Sequence, residues 1–175
     1  MPGPLKLDKK KTAILIIDYQ NRMLNELSEN SGKEILRKAN EILSKGRQNS
    51  IPVIYIEVRR GERTPEMEIH PDITPKSGEI VLTKQSTGPF ETTNLHEVLT
   101  KLGVDTLILF GIATQACVLS TVRSAAELHY KPVVVSDLCA NPPSAETHRN
   151  LMENVFPGLG KVMTAQQLLE SLEKT

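Results

Sequence analysis

The sequence predicts an α/β fold: a three-layer α-β-α sandwich with a six-stranded, mostly parallel sheet in the strand order 3-2-1-4-5-6. Two observations carry that expectation. Short apolar runs rich in β-branched residues alternate with longer stretches of helical period, the pattern of successive β-α-β units. Each of those runs is also too uniformly apolar for a sheet with one wet face, so helices should cover both faces. The 175 residues show no internal repeat and read as one domain over 1–175. A chain of that length buries about 70% of its unfolded surface without crosslinks.

The elements follow in order along the chain. Residues 1–11 are a charged lead-in, and residues 12–17 form the first strand, whose run Ile14-Leu15-Ile16-Ile17 ends at Asp18. Over residues 33–50, Ile35, Leu36, Ala39, Ile42 and Leu43 recur at the spacing of an amphipathic helix. The second strand is 52–57. Residues 59–77, rich in Pro, Glu and Arg and lacking any period, read as a long loop, a lid or a collar around a substrate. The third strand, 79–83, precedes a helix over 92–102 with Leu95, Val98, Leu99 and Leu102 on one face and Gly103 as its stop. Strand four spans 105–110, and Gly111 separates it from a helix over 115–129. Strand five, 132–136, is followed by a helix over 145–155. A short sixth strand, 160–163, leads to a helix over 164–173, capped by Thr164 and apolar at Leu168, Leu169 and Leu172.

Composition narrows the function. The 21 basic and 21 acidic residues leave no net charge, which removes the electrostatic argument for nucleic acid or an anionic membrane as partner. Aromatic residues are only 3% of the chain, too few for a base-stacking surface. No apolar run reaches the roughly 20 residues of a bilayer crossing. Two cysteines and no apolar leader point to a reducing, cytoplasmic setting with free thiols. The expected partner is a small molecule.

In an open parallel sheet, chemistry collects beyond the carboxyl ends of the strands, where the strand order reverses. Asp18 follows strand one, Lys84 follows strand three, and Cys117 opens the helix after strand four. Strands one and four are neighbours in the expected order, which sets Asp18 beside Cys117. Lys84 arrives from two strands away, about 10 Å, a gap that a lysine stem closes. A cysteine is more often a small buried hydrophobe than a nucleophile. At a helix start, however, the backbone N–H groups lower a thiol's pKa and offer donors to an oxyanion.

Asp18-Tyr19-Gln20, Thr83-Lys84 and Gly111-Ile112-Ala113-Thr114-Gln115-Ala116-Cys117-Val118 resemble the isochorismatase-like cysteine hydrolases, a family of small-amide hydrolases and isochorismatases. Ser86-Thr87-Gly88-Pro89-Phe90 and Leu119-Ser120-Thr121-Val122-Arg123 are similar too, and the resemblance spans nearly the whole chain. It implies an Asp18–Lys84–Cys117 triad, a homo-oligomer (a dimer or larger), and a non-proline cis peptide, expected at Ala113–Thr114. The oxyanion would be held by the Cys117 amide and one near Thr114. Tyr19, Gln20, Thr87 and Phe90 flank the site as candidate lining residues.

Nicotinamidase-like members carry an Asp-x-His pair and a further His for a divalent ion. Here the corresponding stretch reads Glu57-Val58-Arg59-Arg60-Gly61-Glu62, and His70 stands alone before a proline, so neither a metal nor another cofactor is expected. The expected reaction is hydrolysis of a small amide, imide or ureide C–N bond through a Cys117 thioester. Vinyl-ether hydrolysis and a non-catalytic scaffold are the alternatives. Cys139 reads as packing, Asp137 as a loop-orienting or capping residue, and His148 as a surface residue of its helix.

Overall fold

Six parallel strands build one sheet in the order β3-β2-β1-β4-β5-β6: β1 Thr12–Ile17, β2 Val53–Val58, β3 Ile80–Lys84, β4 Thr106–Gly111, β5 Lys131–Val135 and β6 Lys161–Met163. The computed structural model describes residues 5–174, so residues 1–4 of the expected lead-in lie outside it. Every residue of β1 is buried, as a central strand with helices on both faces requires. β1 pairs with β2 on one side and β4 on the other, and that reversal of order is the switch point.

The strands lie within one residue of the expected bounds. β3 differs in character: its exposure alternates, with Val81 43% exposed, so it is not covered on both faces as expected. It is an edge strand with β2 as its one neighbour in the sheet, and such an edge leaves its outer rows to solvent.

The helices are α1 Asn21–Leu24, α2 Glu29–Gln48, α3 Pro89–Thr92, α4 Leu95–Leu102, α5 Leu119–Glu127, α6 Ala145–Asn150 and α7 Ala165–Glu173. α2 packs against α7, while α3 adjoins α4 and α5. All five expected apolar positions of α2 are buried. The helix starts at Glu29, four residues before the expected start at residue 33, because Ser28 caps it by accepting a hydrogen bond from the Ser31 amide. The helix expected over 92–102 is split. Thr93 is extended, and its hydroxyl accepts from the Leu95 amide at 3.1 Å, so a side chain takes over the capping of α4. Gly103 ends α4 in the left-handed conformation at φ +67°. Thr164 and Gln167 form a reciprocal capping box on α7. Among the described residues no helix is long and apolar enough to cross a membrane.

One close approach fixes the end of the sheet where the chemistry sits. Gly111 lies opposite Ile17 in the β1–β4 register, and a Cβ there would stand 2.5 Å from the Ile17 carbonyl oxygen. Gly111→Ala is therefore expected to cost about 2 kcal/mol or more in urea unfolding, since main chain must move. Gly46→Ala, whose new methyl meets only the δ-methyl tip of Ile14, should cost less in the same assay.

Candidate active site

Three strand ends deliver three reactive groups to one cavity. Asp18 leaves β1 in the left-handed region at φ +56°, a conformation that aspartate tolerates better than most residues. Its amide still donates to the Ile56 carbonyl at 2.8 Å, so the turn begins without losing the ladder to β2. Lys84 is the last residue of β3, in register with Val58. Its stem crosses the end of β2 and places Nζ 2.9 Å from Asp18 Oδ2, with a second hydrogen bond to the Ser86 carbonyl at 3.1 Å. Cys117 sits in a π-helical turn, Thr114–Val118, that joins β4 to α5. The expected helix thus opens on a wider turn, and Cys117 is 2% exposed. All three residues line a cavity of about 270 Å³, a volume suited to a small molecule.

The electrostatics are set by burial. Asp18 is raised above the ordinary aspartate value of 3.8, because loss of solvent outweighs the stabilising Lys84 ammonium. The Cys117 thiol is pushed well above 9.0, first by burial and then by the Asp18 charge, against the opposing pull of Lys84. The expected acidifying helix start thus meets an opposing effect that the sequence did not show: the thiol is buried, and burial disfavours the thiolate. Sγ donates to the Ala113 carbonyl at 3.6 Å. Asp18 Oδ1 is the one buried side-chain N or O atom among the described residues with no hydrogen bond, and the Asp18 carboxyl as a whole is near enough to the thiol to interact with it.

The backbone beside the sulfur differs from expectation in detail. The non-proline cis bond is Ile112–Ala113, one peptide earlier than expected. Ile112 still pairs with Ala140 and donates to Ile17, so the chain leaves the sheet just after it. The Thr114 amide is committed to the Ala140 carbonyl at 2.9 Å and is not free for an oxyanion. The Ala113 amide makes no hydrogen bond among the described residues, and Ala113 lines the cavity. Thr114 Oγ1 shares a 2.8 Å hydrogen bond with His148 Nδ1. His148, on its surface helix, is thereby half-buried, and burial lowers its pKa.

Of the four candidate lining residues, Gln20 and Thr87 border the cavity. Tyr19 and Phe90 do not. Tyr19 is buried edge-on against Phe110 with its hydroxyl on the Leu138 carbonyl, and Phe90 stacks on Tyr130. Tyr19 belongs to the core and Phe90 packs, partly buried, against it, as large apolar surfaces favour. Gln20 has a structural task as well: its side-chain amide exchanges hydrogen bonds with both backbone groups of Val58 and donates to the Met67 carbonyl. The long 59–77 loop is a collar anchored to the end of β1, through Gln20 and through the His70 amide on the Tyr19 carbonyl. Its Glu66 and Met67 form cavity wall, as do Arg22 and Arg60, which sequence reasoning missed. Arg60 lies in the Glu57-Val58-Arg59-Arg60-Gly61-Glu62 stretch after strand two, where no local pattern sets it apart from Arg59. Asp137 caps the Ala165 amide at 2.7 Å, the role expected of it. Among the described residues no three His, Cys, Asp or Glu side chains cluster as a metal site would need.

Residues 12–167 match the family model described as the isochorismatase domain. An uncharacterized isochorismatase family protein of Escherichia coli O157:H7 is 27% identical over 96% of this chain and 100% of that protein. The ureidoacrylate amidohydrolase of Acinetobacter baylyi is 32% identical over 62% of this chain and 44% of its own length. Among solved structures, an isochorismatase family protein of Burkholderia thailandensis superposes with a TM-score of 0.83 at 27% identity, over 98% of this chain and 100% of that one.

The opposing charges around the sulfur give a labelling test. Iodoacetamide should modify Cys117 slowly at pH 7 in the native protein and rapidly once urea unfolds it. At fixed pH, Asp18→Asn should slow native labelling, because it removes the buried carboxylate that can accept the thiol proton. Lys84→Gln should slow it too, because it removes the charge that favours a thiolate. Parent-like rates in both variants would mean that the sulfur does not feel the pair.

Proposed function

Because the chain belongs to the isochorismatase family, a hydrolytic one, we propose that it hydrolyses the C–N bond of a small amide, imide or ureide through a thioester on Cys117. The observation that carries this reading is the 2.9 Å Lys84–Asp18 pair whose second oxygen, Oδ1, has no hydrogen bond, in a carboxyl group that interacts with the Cys117 thiol. An amidohydrolase among the relatives supports the bond type.

The chemistry follows from the proton affinities. A buried carboxylate with a raised pKa is a stronger base than an exposed one, and it faces a thiol too weakly acidic to ionise alone. As the substrate carbonyl reaches Sγ, the thiol proton passes to Asp18 Oδ1 and sulfur bonds to the carbonyl carbon. Amides of Cys117 and Ala113 receive the oxyanion. Collapse breaks the C–N bond, and the Asp18 proton goes to the departing nitrogen. Water then gives a proton to Asp18 and attacks the thioester, and the released sulfur takes that proton back. Lys84 holds the negative charge as it moves between carboxylate, sulfur and oxyanion.

The raised Asp18 pKa also favours a second reading. A carboxyl group that keeps its proton nearer to neutrality can act as an acid, which is what protonating a vinyl ether needs. A panel of small amides, ureides and isochorismate, followed for ammonia and acid, separates the two. Cys117→Ala and Asp18→Asn should each lower amide turnover by about 1,000-fold or more, with a thioester trapped by mass spectrometry in the parent. Turnover that survives Cys117→Ala and not Asp18→Asn would establish the vinyl-ether reading instead. Since the base form of Asp18 is required, activity should fall as pH falls through its raised pKa, above the range of an ordinary aspartate at 3.8. An acidic limb at or below that value would contradict the assignment.

A further inference from the structure

The collar and its surroundings hold four arginines near the cavity, and they divide into two kinds. Arg59 is neutralised by Glu57, and Arg63 by Glu68. Arg22 and Arg60 both line the cavity, and among the described residues neither has a carboxylate within 4.0 Å. Glu66 lines the same cavity and pairs with neither of them. Inside, Lys84 and Asp18 cancel each other. The two arginines against Glu66 therefore leave the cavity with one uncompensated positive charge, although the chain as a whole has none.

Arg60 is also held in a useful pose. Its Nε donates to the Gln85 carbonyl at 3.2 Å, which anchors the guanidinium plane beside the segment that follows Lys84. The two terminal nitrogens remain, and a guanidinium offers them as a planar fork that matches a carboxylate. Arg60 is near enough for its charge to act on Asp18, so an anion on Arg60 lies within a small molecule's length of the reacting end. Much of the remaining wall is apolar, with Met23, Val58, Met67 and Ile112.

We propose that the acyl part of the substrate carries a carboxylate, gripped by Arg60 with Arg22 as a second cation, so that the substrate is the half-amide of a short dicarboxylic acid. The identity of the scissile end rests on the Cys117 reading above; the anionic end rests on the arginines. Hydrolysis adds water across the C–N bond and yields a dicarboxylate and ammonia. One net positive charge in the cavity fits one carboxylate on the substrate.

The test compares succinamate and glutaramate with butyramide and valeramide, in which a methyl group replaces the carboxylate. Each is assayed for ammonia with the parent, Arg60→Gln, Arg60→Lys and the control Arg63→Gln, whose side chain does not line the cavity. Binding of succinate and glutarate to the same proteins is measured by calorimetry, a readout independent of turnover. The parent should prefer the half-amides by roughly 10- to 100-fold in kcat/KM, and Arg60→Gln should erase the preference mainly through KM. Arg60→Lys should keep part of it, and Arg63→Gln all of it. The dicarboxylates should bind the parent about tenfold more tightly than Arg60→Gln. Equal use of neutral and anionic amides, an equal loss of both in Arg60→Gln, or dicarboxylates that bind both proteins alike or neither would overturn the carboxylate. Turnover of neutral amides alone would overturn it while leaving the Cys117 thioester standing. Arg60-dependent binding with no amide hydrolysed would do the reverse.

Discussion

The structure depends on an ion pair that has almost no water around it. The side chains of Lys84 and Asp18 are 2% and 4% exposed, and they meet across the end of an intervening strand. Burying two such charges costs several kcal/mol each before their attraction is counted, so a pair of this kind is weak evidence of stability gained. The geometry around it is costly too: a left-handed residue at the end of β1, a lysine spent on an edge strand, and a glycine where β4 passes Ile17. All three lie at the carboxyl ends of the strands, where the carboxylate and the ammonium meet.

The same burial explains why sulfur and carboxylate are matched. Both prefer their protons, since each is costly to charge in that environment. Neither ionises well alone, and a proton handed from one to the other adds no net charge to the interior. An exposed aspartate would be too weak a base for a thiol so reluctant to ionise, and an acidified thiol would need no such base.

Much of this was legible in the sequence for physical reasons. β1 could be read because a fully buried strand tolerates only apolar residues, so the first charge, Asp18, marks its end. The Cys117 turn could be read from the break at Gly111. The face of α2 followed from its period. What could not be read depends on distance rather than on order. Arg59 and Arg60 are neighbours in sequence, yet only one finds a carboxylate, and no local pattern says which. The burial of Tyr19 and Phe90 and the partner of His148 are set by contacts across the fold. The π-helical turn and the position of the cis bond depend on where the chain leaves β4. The direction of the thiol's pKa reversed because the sequence shows a helix start and does not show how deeply it is buried.

Gln20 gives the molecule a division of labour. Its side-chain amide imitates a peptide group, taking the Val58 amide and meeting its carbonyl, and it also holds the collar by the Met67 carbonyl. What it grips is main chain, which every residue type presents alike. The clasp is therefore indifferent to the side chains that the collar displays. A substitution at Arg60, Glu66 or Met67 would reshape the cavity wall and leave that clasp in place.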